Sequence, residues 1–343
     1  MARRLRIKVP GHAAAYHVVS RASQQDFLLD DHMKEIFIKK LKTLKTLFYV
    51  RPISFAVLDN HFHALLCFKD PEDIDPKEAI KRWNDYHEKE YRLNANIQAY
   101  REYAVQQLTD VSSFMKRLNV LMTNAYKRHT GKTGTLWQSR FHSTIFERGL
   151  PVLQCAAYIE LNSFRASMVK RPEDYEYSSL NYLKQGNRDG FIDIDLLEEG
   201  LGIASVSRDL TDEQAFTREI YKTYVAYVYE SGTEPKGGKE GGIVITGEMQ
   251  ERLKKYGIEG EKGSFLHRAW DFSKSIFVGN SENAERFYED HINPGYTGKQ
   301  RQHHIAQWLH ASGKNLWSIF SVFHQGLPEG QRRRLPSRDG PGP

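Results

Sequence analysis

Leu58-Asp59-Asn60-His61-Phe62-His63-Ala64-Leu65-Leu66 is the stretch from which the fold of this chain can be read. An apolar run of this length, entered through Asp-Asn, reads as a β-strand behind a tight turn. In a strand, residues two apart share a face. His61 and His63 therefore project together, while Phe62 points the other way into a core. The strand before the turn covers residues 51–58, and the His-bearing strand covers 61–68. Upstream, residues 13–20 follow Pro10-Gly11 and read as a further short strand. Asp30 and Asp31 offer a helix cap, and Met33, Ile36, Phe37, Leu41 and Leu44 recur at helical spacing up to about residue 47.

Downstream, residues 70–107 are rich in charge and tyrosine and read as a helical insertion. A helix is expected over 111–129, then a tight loop at Gly131-Lys132-Thr133-Gly134 and a strand over 135–146. Pro151 opens another helix, where its missing N–H costs nothing, running to about residue 168. The order strand, helix, strand, strand, helix, strand, helix implies an α+β sandwich with helices packed on an antiparallel sheet.

The length of 343 residues allows one domain with a sizeable core and a smaller second one. Residues 1–190 form the first domain in this reading. Residues 191–242 are a connecting segment ending in a Gly-rich linker, 243–330 a mostly helical accessory domain, and 331–343 a disordered Arg-, Pro- and Gly-rich tail. With 40% hydrophobic and 27% charged residues, the composition is that of an ordinary globular protein. The start of the chain has no apolar run, so no secretory signal is expected. No apolar stretch approaches the roughly 20 residues that span a bilayer. Cys67 and Cys155 sit in apolar runs and read as reduced core thiols, which points to a cytoplasmic protein.

The net charge is +6, and residues 112–150 alone hold seven Lys or Arg against one acid, Glu147. Such a concentration favours a polyanion as partner. Lys116, Arg117, Lys127, Arg128, Lys132 and Arg140 are the candidates for phosphate contacts, which position a nucleic acid without specifying it. Trp137, beside the basic loop, is a candidate for stacking on an unpaired base.

Two neighbouring imidazoles, His61 and His63, are a ready pair of metal ligands. On the helix opened by Pro151, Tyr158 and Asn162 are four residues apart and share one face. A tyrosine hydroxyl is a possible nucleophile, and an Asn side-chain oxygen a third metal ligand. Two imidazoles and an amide oxygen, with phosphate oxygens completing the shell, are compatible with Mg²⁺ or Mn²⁺. The phenol has an ordinary pKa of about 10, so attack needs an activated or well-placed tyrosine. The sequence does not say which group supplies this.

Four blocks together resemble one family. They are Tyr16-His17-Val18-Val19-Ser20-Arg21 after Pro10-Gly11, Asp59-Asn60-His61-Phe62-His63-Ala64-Leu65-Leu66, and Gly131-Lys132-Thr133-Gly134-Thr135-Leu136-Trp137-Gln138-Ser139-Arg140-Phe141-His142-Ser143. The fourth is Tyr158-Ile159-Glu160-Leu161-Asn162 with Arg165-Ala166 and the segment from Arg171-Pro172 to Ser178-Ser179. In this order they resemble the single-tyrosine transposases of the HUH superfamily, and in particular the REP-associated tyrosine transposases. The resemblance covers about the first 185 residues. It departs at Ser163, where the family usually has Pro, and at His142, where it usually has Lys.

The resemblance implies a ferredoxin-like, RRM-like sandwich. It implies a divalent metal held by His61, His63 and Asn162, and Tyr158 as the nucleophile that attacks single-stranded DNA. The products would be a 5′-phosphotyrosine and a free 3′-OH, with imperfect DNA hairpins as substrates and the bacterial nucleoid as the setting. Monomer and homodimer both remain open. The competing reading is a regulator that grips DNA hairpins with the same fold and no reaction. An RNA-binding module of similar topology would need exposed aromatic RNP-type motifs, which the sequence lacks.

Overall fold

The computed structural model describes residues 15–23, 28–187, 189–203, 213–232, 242–258, 275–280, 282–284, 286–287, 309–313 and 316–319. Strand β1 (Ala15–Arg21) is followed by helix α1 (Asp31–Leu47) and strands β2 (Val50–Val57) and β3 (His61–Phe68). Asp30 caps α1 by accepting from the Met33 backbone N–H at 2.8 Å. Helices α2 (Pro76–Tyr86) and α3 (Gln98–Leu108) make up the insertion, and α4 (Val111–Thr130) leads back to the sheet at β4 (His142–Phe146). Helix α4 ends at Gly131, whose φ of 68° is the left-handed conformation that terminates helices. Helix α5 (Leu150–Arg165) carries Pro151 in its first turn.

The sheet begins β2-β3-β1-β4, and these pairings are all antiparallel. β2 is the edge strand, which is why Pro52 and the register shift beside it are tolerated there. Alternation divides the sheet residues between two helical layers. Phe62 meets Phe37 of α1 at 4.5 Å between ring centroids, and Phe68 meets Phe114 of α4 at 5.7 Å. His63, on the other face, meets Tyr158 of α5. Burying an aromatic or aliphatic side chain in these two cores contributes roughly 1.5–3 kcal/mol each, and Phe37, Phe55, Phe62, Phe114 and Phe146 are among the most deeply buried. Cys67 and Cys155 are buried free thiols.

Three differences from the sequence reading have physical causes. The strand expected over 135–146 is regular only from His142. Residues 136–138 still pair with the end of β1, through Ser23 N–H to Leu136 O at 2.7 Å and Gln138 N–H to Arg21 O at 2.9 Å. The chain then breaks from the ladder before β4 begins.

The connecting segment 191–242 contains helices α7 (Ile194–Leu201) and α8 (Glu213–Ser231), preceded by α6 (Ser179–Lys184). Leu196, Leu197, Ile220, Tyr224, Tyr227 and Val228 are buried in the core, so these helices form a second layer behind α5.

The region 243–330, expected to be helical, has among its described residues helix α9 (Gly247–Lys255) and three strands, β5 (Phe277–Gly279), β6 (Leu309–Gly313) and β7 (Leu316–Ile319). β5 joins β4 in parallel and the sheet continues β5-β7-β6. A short apolar run such as Ile276-Phe277-Val278 fits either helix or strand by pattern alone. Glu147 ties this addition down, accepting from the Asn280 backbone N–H at 2.7 Å and from Asn283 Nδ2 at 2.7 Å. At Gly279 a Cβ would fall 2.6 Å from Glu147 Oε2, so any larger residue there would require the Glu147 carboxylate and the Phe277 ring to shift. Residues 1–14 and the tail 331–343 lie outside the described residues.

Candidate active site

Cross-strand register places His17, opposite Leu65 and Thr144, on the sheet face that carries His63. His61 pairs with Arg21 at the end of the same ladder. Helix α5 lies across this face. Tyr158, Asn162 and Arg165 follow one another at four and then three residues, which makes them one stripe of the helix. The Tyr158 ring stands edge-on to His63 at 5.7 Å between centroids and edge-on to His17 at 6.0 Å. His61 and His63 rings are 5.0 Å apart. The Arg165 guanidinium lies 5.7 Å from the Tyr158 ring centre. Three imidazoles, a phenol and a guanidinium thus gather where β1, β3 and α5 meet.

Burial sets the protonation of the histidines. It pushes His61 down to about 4, with the nearby Arg21 charge acting in the same direction. It pushes His63 well below the usual imidazole range, helped by His17, His61 and Arg21. Both are therefore neutral at neutral pH, which is the form that binds metals. His61 Nδ1 lies 2.6 Å from Asn60 Oδ1. A carbonyl oxygen only accepts, so Nδ1 carries the proton and Nε2 is bare. Asn162 Nδ2 donates to Tyr158 O at 3.0 Å and Ile159 O at 3.3 Å. This orients its amide and leaves Oδ1 as the atom for a cation. By their chemistry, two neutral imidazoles and one amide oxygen are donors suited to a divalent metal. Among the described residues, no three His, Cys, Asp or Glu side chains form such a group.

Beneath the stripe, Glu160 is fully buried and bridges three elements. Its carboxylate accepts from Ser54 Oγ of β2 at 2.9 Å, from Ser179 Oγ, and from the Leu180 backbone N–H at the start of α6 at 3.2 Å. Burial raises its pKa to about 7 against the opposing pull of these hydrogen bonds. Burial likewise lowers that of Arg165 to about 10. His17, Asn60, Glu160 and Arg165 stand within the four resemblance blocks but receive no role of their own from sequence. Their signals are a histidine in an apolar strand, an amide beside a candidate ligand, one acid in an apolar helix, and a cation seven residues past Tyr158.

The basic candidates fall into two groups. Lys116, Lys127, Arg128, Lys132 and Arg140 are exposed. The loop carrying Lys132 and Arg140 is tied to β1 beside Arg21, at the sheet end where His61 sits. Arg117 instead contacts the insertion, with Nη2 2.7 Å from His87 Nε2 and its guanidinium over the Tyr86 ring. Trp137 packs edge-on against Phe62 at 5.6 Å and donates from Nε1 to Asn119 O at 3.2 Å. It is half-buried.

No known family model matches this chain, and no curated protein matches it. Among solved structures, a REP-associated tyrosine transposase bound to a REP hairpin is similar over 57% of this chain and 90% of that chain, at 16% identity and a TM-score of 0.38. Among the described residues, no helix is long and apolar enough to cross a membrane.

Proposed function

We propose that this protein is a metal-dependent tyrosine strand transferase acting on single-stranded, hairpin-forming DNA. The observation that carries the reading is the meeting of Tyr158 with His63, whose ring lies beside that of His61, across the sheet–helix junction. The order β2-β3-β1-β4, with α1 and α4 on one face, supports a ferredoxin-like frame. The motif order of the REP-associated tyrosine transposases supports the hairpin substrate.

His61, His63 and Asn162 would hold Mg²⁺ or Mn²⁺, which when bound supplies Lewis-acid polarisation of the scissile phosphate. Tyr158 Oη gives up its proton as it attacks phosphorus, the bond from phosphorus to the 3′ oxygen breaks, and the leaving 3′ oxygen takes up a proton. The 5′-phosphate stays on Tyr158, and its ester keeps the energy of the phosphodiester for religation. Lys127, Arg128, Lys132 and Arg140 hold the backbone of the DNA near the reacting end. Arg165 adds positive charge beside the phenol.

A second reading, a hairpin-binding regulator without the reaction, is favoured by one observation: Tyr158 is only 8% exposed. End-labelled hairpin DNA with Mn²⁺ separates the two. The transferase leaves a protein–DNA adduct that survives SDS, and the regulator binds without one.

A further inference from the structure

His17 has no part in the chemistry above, yet it is fully buried at the centre of the site. Its Nε2 lies 2.9 Å from His63 Nδ1. The two ring centroids are 5.1 Å apart and the planes differ by 15°. Rings stacked face to face with nitrogens this close would have their centroids far nearer each other. The imidazoles are therefore edge to edge and almost coplanar, the geometry of an in-line N–H···N hydrogen bond.

One proton lies between these two nitrogens. A neutral imidazole carries a single N–H, so its position fixes both tautomers. If His17 donated, the His63 proton would sit on Nε2 and block that nitrogen. If His63 donates, its Nε2 is bare. His61 already stands in the second condition, with its Nδ1 proton held by Asn60 Oδ1. A metal-binding histidine characteristically donates its other N–H to a neighbour that fixes the tautomer and the ring orientation. For His63 the atom in that place belongs to His17.

We propose that His17 is the positioning residue of the metal site. Its bare Nε2 accepts the His63 Nδ1–H, so that His61 and His63 both present Nε2 as the coordinating atom. This rests on the metal reading given under Proposed function. An imidazole in this place brings no negative charge, where a carboxylate would set an anion among the rings that back the Tyr158 phenol, the His17 ring itself standing 6.0 Å from it. The tautomers exist before any metal arrives, so the site is set in the metal-free protein.

The test has two arms on the full chain. Long-range proton–nitrogen spectra of the metal-free protein, with His63 assigned through His63→Gln, should find the His63 proton on Nδ1 and the His17 Nε2 unprotonated. The opposite tautomer for His63 overturns the inference without any variant of His17. Mn²⁺ alone, titrated by the electron-spin-resonance signal of the free ion, should bind His17→Phe about 10–100-fold more weakly than the wild type. His17→Gln keeps an acceptor at the same reach and should largely restore affinity. Native affinity in a folded His17→Phe protein overturns the inference and leaves the metal reading standing. A wild-type protein that takes up no Mn²⁺ overturns both.

Discussion

Tyr158 and His63 meet edge to face at 5.7 Å. That contact brings a candidate nucleophile from helix α5 against a candidate ligand from strand β3. The same helix turn buries Glu160, so the packing of α5 on the sheet controls both the site and part of the protein's response to pH.

Glu160 gives the first prediction. Its folded pKa, raised by burial to about 7, stands above the ordinary 4.5. The stability it contributes is present below the lower value and is lost as pH rises through about 7. Glu160→Gln keeps a side chain that can accept from Ser54 and Ser179 and cannot ionise. Urea unfolding of the two proteins should diverge as pH rises from 4.5 to 7, with the variant gaining relative to the wild type. Parallel pH profiles would contradict the buried carboxylate.

His61 works in the opposite sense. Its folded pKa is pushed down to about 4 from 6.5 by burial. Its contribution to stability is present above 6.5 and is lost as pH falls through about 4. In His61→Asn the acid-side loss should be smaller than in the wild type, as read by thermal unfolding of the metal-free protein. For the same reason Mn²⁺ affinity should change little between pH 6 and 8, whereas ordinary histidines would make it fall below about 6.5. A titration showing that fall would contradict the lowered value.

The exposed cations predict a salt dependence. Each phosphate contact to a single strand contributes a slope of about 0.7 in log affinity against log salt. Changing Lys127, Arg128 and Lys132 together to Ala should therefore reduce the slope by about 2 if all three contact phosphates. Arg117→Ala should leave the slope nearly unchanged, because its guanidinium is held by His87 and Tyr86 of the insertion. Its effect should appear as loss of stability. Fluorescence anisotropy at several salt concentrations reads the first outcome, and thermal unfolding the second.

The elements around the site were legible because local signals agreed with one another. Asp30 is the cap it looked to be, and period-two alternation placed His61 and His63 opposite Phe62. Helical spacing placed Tyr158 and Asn162 on one stripe. What could not be read was what packs across the chain. His17 is an ordinary strand residue until the β1–β3 register sets it diagonal to His63. Glu160 is one acid in an apolar helix until Ser54 and Ser179 meet it. The strands β5 to β7 complete a sheet whose other members lie far earlier in the chain, and a three-residue strand such as Phe277–Gly279 has too little pattern to declare itself.

The central claim is that Tyr158 takes the DNA phosphate. It is tested most directly by incubating the protein with end-labelled hairpin DNA and Mn²⁺, then digesting the SDS-resistant species and mapping the modified peptide by mass spectrometry. The account predicts a nucleotide on Tyr158, and no adduct from Tyr158→Phe. That variant should stay folded, since it keeps the ring and removes only a hydroxyl, whose hydrogen bond contributes about 0.5–1.5 kcal/mol, and it should still bind the DNA. An adduct that persists in Tyr158→Phe, or tight binding by the wild type with no adduct, would contradict it.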